Sequence, residues 1–261
     1  MDEFEAELAH LLADLQGLPI YDFGWGSITP FTFWALIASA LVFAMIWLLS
    51  KKIEFIPKLG VATVVEAGVD FVRREVGETL LGAHSAEHMP YLCTVFFFVL
   101  VGNAVGLIPG AKSATGTTSV TLVLAASSFC YFNYAGAKHA GVLKYILSIA
   151  PDGLPFPVNA MVWLIEVFSM SMRIISLAVR LFANMFAGHM AMGVFALLST
   201  AYFTPLLQQV TSESIISGAV SGVLLVILLA VYVAEILVAF IQAYVFTLLS
   251  GVYIQLATSG H

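Results

Sequence analysis

The sequence is short of charge. Only 10% of its 261 residues are Asp, Glu, Lys or Arg, against about 25% in soluble domains. With 61% hydrophobic residues and a mean hydropathy of +0.99, it is not composed like a soluble core. The deficit points to an integral membrane protein. Basic residues are scarce too: the net charge is −6, which excludes nucleic acid as a partner. The two cysteines, Cys93 and Cys130, lie in apolar runs and read as small buried hydrophobes, not as a disulfide. No basic region followed by an apolar stretch opens the chain, so no cleavable signal peptide is expected.

Against that background the remaining polar residues stand out. Residues 1–29 read as an acidic extramembrane segment, with Asp2, Glu3, Glu5, Glu7, Asp14 and Asp22 and no Lys or Arg. Leu8, Leu11, Leu12 and Leu15 give it a short amphipathic helix. Residues 30–261 read as one membrane domain. Its first span is 31–50, an uncharged run of the length that crosses a core of ~30 Å. Lys51, Lys52, Lys58, Arg73 and Arg74 follow. The positive-inside rule puts them in the cytoplasm or matrix and the N-terminus outside. Residues 60–81 alternate a valine side (Val61, Val64, Val65, Val69, Val72, Val76) with Glu66, Asp70, Arg73 and Arg74, which predicts a helix on the inner membrane surface. Further spans are expected at 91–108 and 119–137, the second returning to Lys138, His139 and Lys144.

The second half has other proportions. Apolar stretches cover about 158–202, ending before Thr204 and Pro205, and 215–257. A straight helix of the latter length reaches ~65 Å, about twice a bilayer core. Two spans in either stretch would need a turn in lipid with unpaired backbone. Neither stretch has a turn signal near its middle. The expected fold is therefore all-α, with about three ordinary spans, an amphipathic surface helix and a hairpin of two long, steeply tilted helices. The tilt exceeds the usual range of roughly 0–40°, so some partner must shape it.

Inside those helices lie Glu166, Arg173, Arg180, Asn184, His189, Glu235 and Gln242. Arg180 is the sharpest case, because no carboxylate occurs from Met170 to Met190. Guanidinium stays charged, and placing it at a helix centre costs at least ~2.5–3.5 kcal/mol. Either it snorkels to an interface or it faces a partner charge or a hydrated cavity. Ser176, Arg180 and Asn184 share a helix face, as do Glu166, Arg173 and Arg180, whereas His189 points away. Glu166 can balance Arg173 across two turns. On the last helix Glu235 and Gln242 share a face, with Tyr232 and Ala239 close to it. Taken singly, Asn184 and Gln242 also fit interhelical hydrogen bonding, and His189 a satisfied core histidine. Together the groups read as a proton path.

Three segments carry a family resemblance. "RLFANMFAG" (180–188) has an R-L-x-x-N-x-x-A-G pattern, Gln242 to Tyr253 a Q-A-[YF]-[VI]-F-x-x-L-x-x-x-Y pattern, and "GNAVGLIPG" (102–110), with Asn103, an Asn-x-x-Gly-Leu-x-Pro turn. These resemble the a subunit (subunit 6) of rotary F-type ATP synthases over roughly residues 30–257. The resemblance implies a non-catalytic subunit of the Fo sector, packed on a ring of c subunits, with b-type peripheral-stalk and other ATP synthase subunits and membrane lipid as partners. It implies two offset half-channels, with Arg180 between them facing each ring carboxylate in turn. Asn184, Glu166 and Ser176 fall on positions near the ring-facing helix, and Arg173, Tyr253 and Asn103 are secondary candidates. His189 and Glu235 fall on a linked pair, reversed relative to some bacterial members that have a carboxylate first and a histidine second. Gly106 stands where some members carry an acid. The expected location is an energy-coupling membrane, bacterial plasma or mitochondrial inner, with the C-terminus in the cytoplasm or matrix. No cofactor or metal is implied.

Two other classes compete. "HSAEH" (84–88) matches H-x-x-E-H, a zinc-hydrolase pattern using His84, Glu87 and His88. Gly82 and Pro90 flank it, so a polar linker is expected there rather than the helix that chemistry needs. The other competitor, a stand-alone ion channel or transporter, would not require oblique helices.

Overall fold

The computed structural model describes residues 21–22, 27–51, 61–108, 110–142, 145, 156–208 and 211–258. The acidic N-terminal helix, Lys52, Lys58 and the Pro-rich turn before residue 156 lie outside them. The fold is all-α apart from a two-residue antiparallel pair, β1 (Tyr21–Asp22) with β2 (Ser27–Ile28). Among the described residues, five helices are long and apolar enough to cross a membrane. This is an integral membrane protein.

The first of them, α1, is Pro30–Lys51. Its start follows from "TP": Pro30 occupies the first helical position, and Thr29 caps the turn, its Oγ1 accepting from the Thr32 amide at 3.3 Å. α2 (Val61–Val72) follows and changes winding at Arg73, continuing as a wider π-type helix to Leu81. The expected surface helix over 60–81 is thus two kinds of helix. Val76 and Leu81 are both buried although five residues apart. Five residues is far from a whole number of α-turns but close to one π-turn, so the wider winding keeps both on one side. Arg73 Nε to Glu78 at 3.0 Å and Thr79 Oγ1 to the Arg74 carbonyl at 2.8 Å follow the same i, i+5 spacing. The expected valine stripe also breaks, since Val64 is 73% exposed.

Gly82, with φ +53, ends that stretch, and a 3-10 turn (Gly82–His84) leads into α3 (Ser85–Gly106). Here the expectation of a linker fails. The helix begins at Ser85, takes in Glu87 and His88, and runs through Pro90. Proline near a helix start forfeits a single hydrogen bond, and Glu87 and His88 are each held by a neighbouring helix, as described below. α4 (Thr118–Ala140) returns antiparallel to α3. Between them Gly106 meets the loop so closely that a Cβ there would stand 2.7 Å from the Ser113 Cα. This chain has no room for a side chain at 106.

The long stretches are single helices: α5 (Phe156–Gln208) of 53 residues and α6 (Ser212–Thr258) of 47, each more than twice the length needed to span a core of ~30 Å. α5 does not stop before Pro205, as the sequence suggested, but passes it into its last turn. A lost donor that near the end leaves one carbonyl to be satisfied at the hydrated boundary. Leu92, Val95, Phe96 and Val99 of α3 share one buried cluster with Val72, Val76, Leu177, Leu181, Ala243 and Phe246. Half of the most apolar stretch of α3 is buried, but only 11% of the most apolar stretch of each long helix. Cys130 corrects its sequence reading: it faces outward from α4, and Cys93 is half-buried. In a bilayer the apolar solvent is outside, so an apolar neighbourhood does not imply burial.

Candidate functional site

The polar residues of the hairpin gather where α5 and α6 pack together. Arg180 lies on the exposed face of α5, beside Val179 (51% exposed) and Ile175 (48%). It makes no hydrogen bond or ion pair among the described residues. Ser176, one turn back, is exposed and donates to the Arg173 carbonyl at 3.0 Å. One turn forward, Asn184 Nδ2 donates to Gln242 Oε1 at 2.9 Å, tying α5 to α6 beside the cation. Gln242 is nearly buried, and its Nε2 is left without a partner. The hydrogen-bond reading of Asn184 and Gln242 is therefore realised, yet one donor remains for another group.

Arg173 is treated differently. Its Nη2 reaches Glu166 Oε1 at 3.1 Å, and its guanidinium sits 5.7 Å from the Tyr253 ring centroid. The carboxylate and the ring face both favour the charge, so Arg173 is satisfied within the chain. Tyr253, a secondary candidate, thereby joins Glu166 and Arg173.

Glu235 is 8% exposed and its carboxyl lies directly against Gly188. Any Cβ at 188 would overlap the carboxyl atoms. Gly188 is what makes room for that carboxyl. His189 follows it in the chain. No hydrogen bond joins His189 to Glu235 among the described residues: His189 Nε2 and Glu235 Oε2 are buried and unpartnered. An imidazole and a carboxyl, each with an open position, sit at one crossing of two helices. Such groups can accept and release protons given water between them. Tyr232, one turn before Glu235, donates to the Leu107 carbonyl at 3.0 Å and fixes α6 on the end of α3.

Asn103 stands in a separate buried cluster. Its Oδ1 accepts from Thr115 Oγ1, while Ser113 Oγ bonds Thr115 Oγ1 at 3.0 Å and the Gly102 carbonyl at 3.3 Å. Asn103 Nδ2 is unpartnered.

His84, Glu87 and His88 do not converge on a metal. Glu87 pairs with Lys138 of α4 at 2.6 Å, and His88 Nδ1 meets Tyr131 Oη at 3.1 Å. Among the described residues no group of three or more His, Cys, Asp or Glu is placed to hold one. The Glu87–Lys138 pair was missed from sequence, although opposite charges at the facing ends of consecutive antiparallel spans are a usable signal.

Fold and site together define an all-α membrane protein with an exposed cation that has no partner among the described residues, and a buried imidazole–carboxyl crossing in a long helical hairpin. The chain matches the ATP synthase A chain family over residues 32–255 and belongs to it. ATP synthase subunit a 2 of Prosthecochloris aestuarii is 34% identical over 241 residues, covering 90% of this chain and 70% of that protein. ATP synthase subunit a of Frankia alni is 32% identical over 243 residues, covering 90% and 80% respectively. Against ATP synthase subunit a 2 of Chlorobaculum tepidum the identity is 37% over 200 residues, and the chain spans 53% of that longer relative.

Proposed function

We propose that this chain is the ion-translocating stator subunit of an F-type ATP synthase, non-catalytic itself, coupling proton flow to rotation of a c-subunit ring. The observation that carries the reading is Arg180: a permanent charge on an exposed apolar helix face, with no partner among the described residues. A passing series of carboxylates on a ring would supply that partner and explain why none is provided nearby. The bare apolar faces of α5 and α6 fit lipid and a ring of apolar helices, against which two oblique helices can lie.

On this reading a proton reaches the ring through one half-channel and leaves through another, offset from it. His189 and Glu235 exchange the proton on one path. The Asn184–Gln242 bond holds α5 and α6 in register next to Arg180. Glu166, Arg173, Ser176 and Tyr253 border the other path, and Asn103 lines polar space beside the end of α3. Arg180 attracts each deprotonated ring carboxylate and repels a proton that would cross directly between the paths. A carboxylate must therefore travel round protonated, and each charge moved down 100 mV delivers ~2.3 kcal/mol. The membrane is an energy-coupling one, with the C-terminus on the cytoplasmic or matrix side. b-type stalk subunits hold the chain against torque.

Arg180→Ala tests this in inverted membrane vesicles. ATP synthesis and ATP-driven acidification should both vanish, with passive proton leak retained or raised. Acidification at the unaltered rate, or migration of the extracted protein free of a ring and of ATPase subunits, would overturn the reading.

A further inference from the structure

A second polar site lies away from the hairpin crossing, where α3 begins and α4 ends. A pocket of about 150 Å³ opens there, lined by His84, Glu87, His88, Tyr131, Lys138 and His139. Its one carboxylate, Glu87, is already matched by Lys138. That leaves three imidazoles, of which His88 is 5% exposed and held in place by Tyr131, while His84 and His139 meet edge to face with centroids 5.9 Å apart. Both ion-pair side chains remain more than half exposed, so Lys138 can also reach a second anion. The site is thus rich in N–H donors and, among the described residues, holds no anion beyond Glu87.

Its surroundings specify what kind of anion. Val123, Ser127, Cys130, Tyr134 and Lys138 are all exposed and fall on one side of α4. Ser127 spends its hydroxyl on the Leu124 carbonyl at 2.7 Å, so the stripe presents little unsatisfied polarity. Tyr134, 64% exposed, stands at the pocket rim where the stripe meets it, in the way tyrosines mark a membrane interface. The stripe rises ~22 Å from Lys138, more than the ~15 Å of one leaflet's hydrocarbon. An amphiphile with an anionic head and acyl tails matches this layout end to end; a free anion would use only the pocket.

We infer that the His84–His88–Lys138–His139 pocket binds the phosphate headgroup of an anionic membrane lipid, whose acyl chain lies along the Tyr134–Cys130–Ser127 face of α4. Lys138 and the imidazoles donate to phosphate oxygens, and Tyr134 covers the glycerol region. A lipid fixed there would bind α4 to the start of α3 from outside, beside the Glu87–Lys138 pair. This site is independent of the proton path, and its test does not depend on transport.

The test uses the intact complex in phosphatidylcholine nanodiscs, with a trace of phosphatidylglycerol bearing a photoactivatable group in its acyl chain. Crosslinks should concentrate on the α4 peptide from Ser127 to Tyr134. Lys138→Gln and His139→Gln should each lower that labelling about fivefold, while Lys138→Arg keeps it. Inorganic phosphate at millimolar concentration should not displace the label. Photoactivatable phosphatidylcholine labelling the same peptide equally would overturn the proposal, as would labelling indifferent to both glutamine variants. Complete displacement by inorganic phosphate would make it a site for free phosphate and equally sink the lipid reading. Each variant is compared at equal assembly of the complex, so that a misassembled protein is not scored as a loss of binding.

Discussion

Two polar regions of one membrane domain are completed in opposite ways. At the start of α3 the charges are matched inside the chain: Glu87 to Lys138, His88 to Tyr131, and nearby Arg73 to Glu78. At the crossing of α5 and α6 they are not. Among the described residues Arg180 has no partner, and His189, Glu235 and Gln242 each keep a buried polar atom unpaired. The contrast holds even within one helix, where Arg173 is closed by Glu166 and Tyr253 and Arg180, two turns on, is open. Leaving a buried polar atom unmade costs about 1–3 kcal/mol. At the crossing the fold carries that cost where something from outside, water or another subunit, completes the set.

The comparison can be broken most directly at the two arginines. Arg180→Ala should abolish ATP synthesis, whereas Arg173→Gln should lower it only severalfold, both measured in energised vesicles at equal assembly of the complex. Equal losses would mean that the open and closed charges are not different in kind. Next in size is Gly188→Ala. Its methyl would displace the Glu235 carboxyl, and overpacking of this sort costs about 1–3 kcal/mol. Proton flux should fall by an order of magnitude or so, and the shorter carboxylate of Glu235→Asp should restore part of it in the double variant. No restoration would separate Gly188 from Glu235. Glu235→Gln should slow ATP-driven pumping and flatten its dependence on pH, since a titrating group is removed; an unchanged profile from acid to alkaline pH would take Glu235 off the path. The smallest effect is expected at the closed pair. Glu87→Gln should leave pumping within experimental error, because an exposed ion pair contributes little. A large loss in pumping there would show that the α3 end is no mere anchor.

Much of this was legible in the sequence, for reasons that differ by element. The spans were readable because uninterrupted apolar runs of this length have few other uses. α5 and α6 were readable as single helices because a turn in lipid would strand backbone groups. That Ser176, Arg180 and Asn184 share one helix face followed from helical spacing alone. What failed did so where tertiary packing outweighs local preference. Pro90 and Pro205 read as helix ends, yet each sits close to a terminus where the lost hydrogen bond is tolerated. The π-type winding over Arg73–Leu81 has no local signature; it is set by what Val76 and Leu81 must reach. Cys130 read as buried because apolar neighbours signal a core in water but not in a bilayer.

The sequence by itself determined that this chain lives in a membrane, which of its segments are long and apolar enough to cross, and which few polar residues had to be explained. Those follow from solvation, since a long apolar run needs an apolar solvent whatever its neighbours in the fold. Only the tertiary structure decided which polar groups are closed and which are open. Glu87 finds Lys138 across 51 positions, Asn184 finds Gln242 across 58, and Glu235 rests on a glycine of another helix. Contacts between helices depend on how two surfaces dock, and no single stretch of sequence records the surface it will meet.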